Sequence, residues 1–322
     1  MLKEMFIKLS ENPMLNVAAQ KYGLKLGAQQ VVAGTNIEEM LVTVRRLNEQ
    51  GISCTIDHLG EFVYEEAAAI TAKENILQVI ELIEHEQIDA HISLKLSQLG
   101  LDIDIDFCYD NLYEIVERAH HNSIFVNIDM ENYSRLEATL NMVEELSKQF
   151  DNVGTVIQAY LLRSKEDIER FKDCRLRIVK GAYKESEEVA YQDKLDIDIQ
   201  FLELIEYHLL HGKFTSIATH DHYIIDHVKK IIEEYSIPHD KFEFQMLYGF
   251  RTELQQELAN SYNFCAYVPF GSDWYGYFMR RLAERPQNIQ LVTKQVFTKK
   301  TNTVLAIAAG AFLLGRLTKK NK

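Results

Sequence analysis

The order of strand-like and helical segments predicts that this chain folds as an α/β protein of the (β/α)8 TIM-barrel type. Short runs rich in Val, Ile and Phe alternate with longer segments of helical periodicity. Eight such strand–helix units follow one another between residues 37 and 290. That arrangement is typical of a barrel, because α/β barrels commonly form single domains of about 250 residues. A doubly wound open sheet also alternates strands and helices, but it seldom needs eight consecutive units.

The segments divide the chain into a helical preamble (residues 1–36), the barrel (37–290) and an apolar and basic tail (291–322). We therefore expect extra N-terminal helices and a C-terminal helical tail around the barrel. The predicted strands are 53–57, 91–96, 124–129, 153–159, 176–180, 214–219, 242–247 and 264–268. The predicted helices are 37–49, 65–85, 107–121, 134–149, 164–172, 194–210, 224–235 and 251–259.

The composition is that of an ordinary globular protein, with 322 residues, 47% hydrophobic and 26% charged. A net charge of −13 argues against a nucleic-acid partner, which needs clustered Lys and Arg. The four cysteines have no zinc spacing, and isolated cysteines suit a reducing cytoplasm.

Residues 301–315 carry no charge and are flanked by lysines. Spanning a bilayer takes about 20 residues, so this stretch is too short to cross one. It is either a packed terminal helix or a segment that touches the inner face of the cell membrane peripherally.

Polar side chains occupy the C-terminal ends of the predicted strands, where barrel enzymes carry their chemistry. Lys95 has apolar neighbours on both sides, and it is either a structural ion pair or an anion-binding charge. Arg177 could point into the barrel mouth, or it could form an ion pair in the interior. Gly181 would let the backbone approach a ligand closely. The other strand-end residues are Asp57, His58, Asp129, Gln158, Lys180, His220, Asp221, Gln245 and Tyr267.

A helix is predicted after the last strand, which we expect to stop at Pro269, with Ser272 and Asp273 as an N-cap. One face of this helix gathers Tyr277, Arg280, Arg281 and Glu284. Two guanidinium groups suit a bidentate grip on a carboxylate or phosphate. The alternative is a solvated face with an Arg280–Glu284 ion pair.

Two tempting motifs are weak. The His220-Asp-His222 spacing stands without further ligands, so the sequence predicts no metal site. No GxGxxG occurs, so a Rossmann dinucleotide fold has no support.

Six motifs, in this order, resemble those of the proline dehydrogenase family in its monofunctional bacterial form. They are Ser93-Leu-Lys-Leu-Ser-Gln-Leu-Gly, Asn127-Ile-Asp-Met-Glu, Arg177-Ile-Val-Lys-Gly-Ala-Tyr, Ala218-Thr-His-Asp, Phe244-Gln-Met-Leu-Tyr-Gly and Tyr277-Phe-Met-Arg-Arg-Leu-Ala-Glu. The resemblance implies a distorted (β/α)8 barrel with non-covalent FAD. It also implies oxidation of L-proline to 1-pyrroline-5-carboxylate, with electrons passed to a membrane quinone.

The resemblance also assigns roles to residues of this chain. Asp129, Arg177 and Tyr267 would surround the reacting centre, with Arg177 near the flavin N5. The substrate would be bound by Lys95, Leu247, Tyr277, Arg280 and Arg281. Glu284 would anchor the arginine helix. FAD would contact Met130, Gln158, Arg177, Lys180, Gly181, Ala182, Thr219, His220, Asp221 and Glu284.

Two residues depart from the family pattern: Lys184 replaces a common tryptophan, and Asp221 stands where some relatives have asparagine. Both departures affect the expected flavin contacts. Two other functions stay open from the residues alone. One is a Schiff-base aldolase that uses Lys95 or Lys180, and the other is a non-catalytic barrel that binds a carboxylated metabolite.

Overall fold

The computed structural model describes residues 31–60 and 63–284, with side chains up to Met279. Within these residues eight parallel strands close into a barrel in the order of the sequence, and β8 pairs with β1. The predicted (β/α)8 fold is therefore confirmed. The strands are β1 Ser53–His58, β2 Ala90–Leu94, β3 Val126–Ile128, β4 Val153–Gln158, β5 Arg175–Val179, β6 Phe214–Ala218, β7 Phe242–Leu247 and β8 Phe264–Phe270.

The helices alternate with the strands as the periodicity predicts. Four of them begin at a side-chain cap, in which Asn36, Asp104, Asp193 or Asp221 accepts a hydrogen bond from a backbone N–H of the first turn. The helices are α1 Ile37–Asn48, α2 Glu66–Glu86, α3 Ile105–His121, α4 Tyr133–Ser147, α5 Ser164–Arg170, α6 Lys194–His211, α7 His222–Glu234, α8 Thr252–Ala259 and α9 Trp274–Glu284.

Helix α1, which precedes the first strand, packs against both β1 and β8. It thus occupies the outer position at the seam where the barrel closes. The segment before it is tied to the end of β8, because the Ala33 N–H donates to Pro269 O at 2.8 Å and the Gly271 N–H donates to Gly34 O at 3.0 Å.

The apolar core lies between the strands and the surrounding helices. Buried strand residues such as Ile56, Leu94 and Ile178 join one cluster with buried helix residues such as Leu112 and Phe201. Because successive strand side chains point to opposite faces, the residues between these apolar positions point into the barrel. Many of those inward residues are polar, and they form the site described below.

Three predicted strand boundaries are wrong by two residues, and one of them is the start of β3, which is Val126 instead of residue 124. Strand β8 does not stop at Pro269 but continues to Phe270, and Pro269 pairs in register with Asp57. Strand β2 ends at Leu94, and Lys95 lies just beyond it, before a 3-10 turn at Leu96–Gln98.

Residues 31–273 form one compact unit, and α9 belongs to a second unit. The preamble up to residue 30 and the tail from residue 285, including the 301–315 stretch, lie outside the described residues. Among the residues that are described, no helix is long and apolar enough to cross a membrane.

Candidate active site

Five polar side chains from five strands meet inside the barrel, towards the C-terminal ends of the strands. Asp57 lies in β1 and Arg177 in β5, Lys95 and Asp129 directly follow β2 and β3, and Tyr267 lies in β8. Tyr267 is partly buried and the other four are buried. We call these five residues the charged cluster.

One phenol and one ammonium group join the two carboxylates of the charged cluster. The Tyr267 hydroxyl lies 2.6 Å from Asp57 Oδ2 and 2.8 Å from Asp129 Oδ2. The Lys95 ammonium lies 3.0 Å and 3.4 Å from the same two oxygens. A phenol carries a single hydrogen, so Tyr267 donates to one carboxylate at a time. Burial, reinforced by the charges of Asp129 and Asp57, raises the pKa of Tyr267 well above its usual value, so the phenol keeps that proton at neutral pH.

Asp129 is the most heavily bonded member of the charged cluster. Its Oδ1 accepts hydrogen bonds from Ser93 at 2.7 Å, Asn127 at 2.8 Å and Arg177 at 2.5 Å. Burial acts to raise the pKa of Asp129, but the charges of Arg177 and Lys95 and the hydrogen bonds outweigh it and hold the pKa below its usual value. Asp129 is therefore a permanent anion at neutral pH.

All three nitrogens of the Arg177 guanidinium donate hydrogen bonds. Its Nε donates to Gln245 Oε1 at 2.7 Å, and Nη1 donates to Asp129 and to Ser93. Nη2 donates to the Thr55 hydroxyl at 3.3 Å, and the guanidinium carbon lies 5.2 Å from the centre of the Tyr267 ring. The two readings that the sequence left open for Arg177 are thus both met: the side chain points inward, and it forms an ion pair.

The charged cluster is close to electroneutral, because two carboxylates face one ammonium and one guanidinium. It offers polarity and fixed hydrogen-bond directions rather than excess positive charge. The sequence motifs assign the binding of the substrate carboxylate to Arg280 and Arg281 as well as to Lys95. The side chains of Arg280, Arg281 and Glu284 lie outside the described residues.

Sequence reasoning named Asp57 and Gln245 as strand-end residues but gave them no role, and it missed the other polar residues beneath them. A signal for them exists in the sequence. Polar residues two apart within or just after a strand project to the same side, into the barrel. These pairs are Thr55/Asp57, Ser93/Lys95, Asn127/Asp129, Arg175/Arg177 and Glu243/Gln245.

One buried group in the described part of the chain has the donor types of a metal site. The ligand atoms of His91, Glu243 and Cys265 lie within 4.8 Å of one another. However, Glu243 is paired with Arg175, and burial together with the charges of Arg175 and Arg177 lowers the pKa of His91 well below its usual value. A divalent cation would lie beside this positive charge, so we assign no metal to the group.

Comparison with known proteins shows the family to which this chain belongs. The proline dehydrogenase sequence profile matches residues 40–294. Proline dehydrogenase 2 of Bacillus subtilis (strain 168) is 44% identical over 301 residues, covering 92% of this chain and 99% of the relative. The proline dehydrogenase of Deinococcus radiodurans is 38% identical over 296 residues, covering 89% of this chain and 95% of the relative.

The chain belongs to the proline dehydrogenase family. It is therefore an oxidoreductase, as the sequence motifs predict.

A solved structure with the same fold is that of proline utilization A from Bdellovibrio bacteriovorus, inactivated by N-propargylglycine. The two folds superpose with a TM-score of 0.77 at 23% sequence identity. The match covers 88% of this chain and 35% of that longer chain, so it corresponds to one part of the larger protein.

Apart from Glu284 on α9, whose side chain lies outside the described residues, the residues that the proline dehydrogenase motifs assign to FAD lie in or just after four neighbouring strands, β3 to β6, at the same end of the barrel. Met130, Gln158 and Thr219 are buried there, and Ala182 is exposed. His220 reaches across to the next strand, where its Nε2 accepts the Leu247 N–H at 3.2 Å. The structure therefore places these residues of the barrel in one arc beside the charged cluster, and Glu284 is not part of that arc.

Lys180 and Asp221 pair with each other within this arc. The Lys180 ammonium lies 3.3 Å from Asp221 Oδ2 and forms a second ion pair with Asp198. Asp221 also caps α7, accepting the Tyr223 N–H at 3.1 Å. Aspartate at this position thus holds Lys180 by charge, which a neutral asparagine would not do.

Packing within the protein explains why position 181 is a glycine. Its φ is +109°, and a Cβ there would lie 2.2 Å from the Tyr160 ring. The sequence argument from ligand approach is therefore not needed to explain this glycine. Of the predicted substrate residues on α9, Tyr277 is buried.

Proposed function

We propose that this chain oxidises L-proline to 1-pyrroline-5-carboxylate with bound FAD and passes the electrons to a membrane quinone. The observation that carries the proposal is the charged cluster, which a member of the proline dehydrogenase family holds at the catalytic end of its barrel. The cluster combines a fixed cation, Arg177, with a protonated phenol, Tyr267.

The arc from β3 to β6 fits a flavin in the chemistry of its residues. It combines an apolar wall at Met130 with polar groups at Gln158 and Thr219, and Arg177 lies at its inner edge. Lys180 fits less directly, since two carboxylates already neutralise its ammonium. When bound, FAD supplies the acceptor for the hydride that leaves C5 of proline.

The protein's part in this reaction is binding and orientation. Lys95 would face the substrate carboxylate together with Arg280 and Arg281, with Asp57 and Asp129 holding the Lys95 ammonium in place. Tyr267 would close over the ring, and Leu247 would form an apolar wall. Release of hydride from C5 requires a neutral amine, whose lone pair forms the C=N bond. The protonated imine then releases its proton to solvent.

The two other functions are less well supported. A Schiff-base lysine must lose its proton, whereas Lys95 lies between two carboxylates that stabilise its ammonium form. A non-catalytic barrel gives no account of the fixed guanidinium of Arg177.

The decisive experiment is the visible spectrum of the purified protein before and after anaerobic L-proline. We expect a flavin spectrum that bleaches with proline and recovers with a quinone analogue. A flavin that proline leaves oxidised would refute the substrate. A colourless protein that FAD cannot reconstitute, but that borohydride and a carbonyl substrate modify, would favour the aldolase.

N-propargylglycine offers a second test, because the Bdellovibrio structure is of a protein inactivated by that compound. We expect it to abolish proline-dependent dye reduction by this chain irreversibly. Protection by a reversible proline analogue would place the reaction at the same site.

We also propose that the enzyme is cytoplasmic and touches the inner face of the membrane through residues 301–315. A lipid-soluble acceptor favours such a location, and the uncharged stretch between lysines is suited to it.

A further inference from the structure

The barrel floor below the charged cluster is occupied by an ion pair instead of the branched apolar side chains that usually fill such barrels. The Arg175 guanidinium lies 2.6 Å from Glu243 Oε1. It is also stacked between two rings, with its central carbon 4.4 Å from the centres of both Phe125 and Phe214. Glu243 therefore has a partner that is itself held in place on two sides.

A single oxygen of Glu243 collects three donors. Its Oε1 accepts from Arg175, from the Ser216 hydroxyl at 2.7 Å and from the Gln245 amide nitrogen at 2.5 Å. Both Glu243 and Gln245 are buried. The side-chain amide of Gln245 is thus tied to the floor by its nitrogen.

Gln245 lies between a group that only accepts and a group that only donates. A carboxylate has no hydrogen to give, and a guanidinium has no lone pair to offer. The amide satisfies both only when its NH2 faces Glu243 and its oxygen faces Arg177. In that orientation its Oε1 accepts the Arg177 Nε–H at 2.7 Å.

We propose that Glu243 is a positioning residue for the reaction. By fixing the orientation of the Gln245 amide, it sets the acceptor that holds the Nε edge of Arg177. Asp129, Ser93 and Thr55 hold the other nitrogens of that guanidinium. A chain of hydrogen bonds from Arg175 through Glu243 and Gln245 to Arg177 thus connects the floor of the barrel to the reacting centre.

This inference rests on the proposed function for its kinetic consequence. Arg177 is the cation expected beside the reacting atoms, whereas Lys95, Arg280 and Arg281 are expected to bind the substrate carboxylate. Loosening Arg177 from below should therefore lower kcat for proline and leave KM nearly unchanged.

The test replaces the floor pair with apolar side chains of similar volume, in the double variant Arg175→Met/Glu243→Leu. Such replacements of a whole buried pair often preserve stability, whereas removing one partner leaves an uncompensated charge. The NH2 group of Gln245 then has no acceptor, and the side-chain amide can flip its orientation. The matched control is Ser216→Ala, which removes another hydrogen bond to the same Glu243 oxygen but leaves Gln245 bound.

Two readouts follow Arg177 directly. In the holoenzyme we expect the double variant to lose about tenfold in kcat, with KM for proline within about twofold of wild type. By NMR of the 15N-labelled arginine side chains, hydrogen exchange at the Arg177 Nε should accelerate by about tenfold or more, because this hydrogen loses its fixed acceptor. Its resonance is identified by its absence in Arg177→Lys.

The conservative variant Glu243→Gln separates positioning from charge. Its amide oxygen can take the place of Oε1 and accept from the same three donors. We therefore expect it to keep kcat and the Arg177 exchange rate within about twofold of wild type, as Ser216→Ala should.

The outcomes separate the two proposals. If proline fails to reduce the wild-type flavin, the proposed function is wrong, but the exchange rate still tests the positioning. If proline reduces the wild type, and the folded double variant matches it in kcat and in exchange, the positioning role is overturned. If the double variant does not fold, Gln245→Met leaves the floor pair intact, and an unchanged kcat in that variant overturns the role.

Discussion

Asp129 shows how one carboxylate organises a site, since five donor side chains surround its two oxygens. We expect Asp129→Asn to lower kcat/KM for proline by about 100-fold and to destabilise the fold by about 3 kcal/mol. The reason is that every side chain around the Asp129 carboxylate is a hydrogen-bond donor. In the asparagine variant the NH2 group would face some of these donors instead of accepting from them. Steady-state kinetics and urea unfolding measure the two effects.

The control for this variant is Asp226→Asn, on the exposed face of α7. The pH dependence provides a further check. The pKa of Asp129 is lower in the folded state than in the unfolded chain, where it is about 3.9. Its stabilising effect is therefore complete above that value and is lost as the pH falls through the folded pKa. The stability difference between Asp129→Asn and wild type should stay constant from pH 5 to 8, and a difference that vanishes at pH 5 would contradict this assignment.

His208 should make the fold sensitive to acid. The side chain is fully buried, its Nδ1 lies 2.8 Å from the Thr215 hydroxyl, and burial lowers its pKa to about 4. The unfolded chain takes up the proton near pH 6.5, so stability is full above that pH and falls as the pH drops towards 4. The loss over this interval is about 3 kcal/mol.

Urea unfolding of wild type and His208→Leu/Thr215→Val between pH 7.5 and 4.5 measures this effect. We expect the free energy of unfolding of the double variant to depend less steeply on pH, by the equivalent of one proton taken up on unfolding. His91, which is also buried with a lowered pKa, should still contribute to the slope in that variant. The control for the substitution itself is His85→Gln, at an exposed histidine. Equal slopes in wild type and the double variant would show that His208 is not the titrating group.

At the residue scale the sequence predicts the members of the site better than their bonds. Lys95, Asp129, Arg177 and Tyr267 were identified from their strand ends and from the family motifs, and the structure brings them together. The hydrogen bond from Arg177 to Gln245 could not be predicted, because it joins β5 to β7 and depends on how deep each side chain lies in the barrel. Strand register, which fixes that depth, is set by pairing between distant segments.

At the scale of elements, Gly154 decides how closely β4 and β5 approach. A Cβ at this position would lie 2.1 Å from the Arg175 carbonyl oxygen and 2.8 Å from the Phe125 ring. We expect Gly154→Ala to destabilise the fold by about 1–3 kcal/mol or more, since backbone can yield only by separating the strands. Thermal unfolding measures it.

The comparison for this variant is Gly60→Ala, where the nearest atom to the added Cβ is 3.5 Å away. That variant should unfold within about 0.5 kcal/mol of wild type. If the two alanine variants have the same melting temperature, the approach of β4 to β5 is looser than described.

Element type followed from periodicity, but the C-terminal ends of β2 and β8 did not. Pro269 lacks an N–H, and the sequence predicts that it ends β8; the strand continues because Pro269 and Phe270 pair with Asp57 and His58 of β1. Lys95 was placed inside β2, and it lies outside because the chain turns there into Leu96–Gln98. Both differences arise from tertiary contacts that local sequence does not contain.

At the scale of the whole molecule, the tail from residue 299 to 322 is the segment expected to bring the enzyme to its acceptor. We expect its deletion to abolish flotation with anionic liposomes while proline still reduces a water-soluble dye. Replacing Lys299, Lys300, Lys319 and Lys320 with Gln keeps the apolar stretch and should weaken the association only in part. Unchanged flotation after deletion would mean that the tail has no membrane role.

The seam between β8 and β1 has a consequence for how the protein is made. It joins residues 53–58 to residues 265–270, so the barrel cannot close until nearly the whole unit has left the ribosome. At about 5–20 residues per second, the first strands wait for tens of seconds at the slower rates. During that time their inner faces, which carry Thr55, Asp57, Ser93 and Asn127, present hydrogen-bonding groups to water. A nascent half-barrel lined in this way should be less prone to aggregate than one lined with valine and leucine.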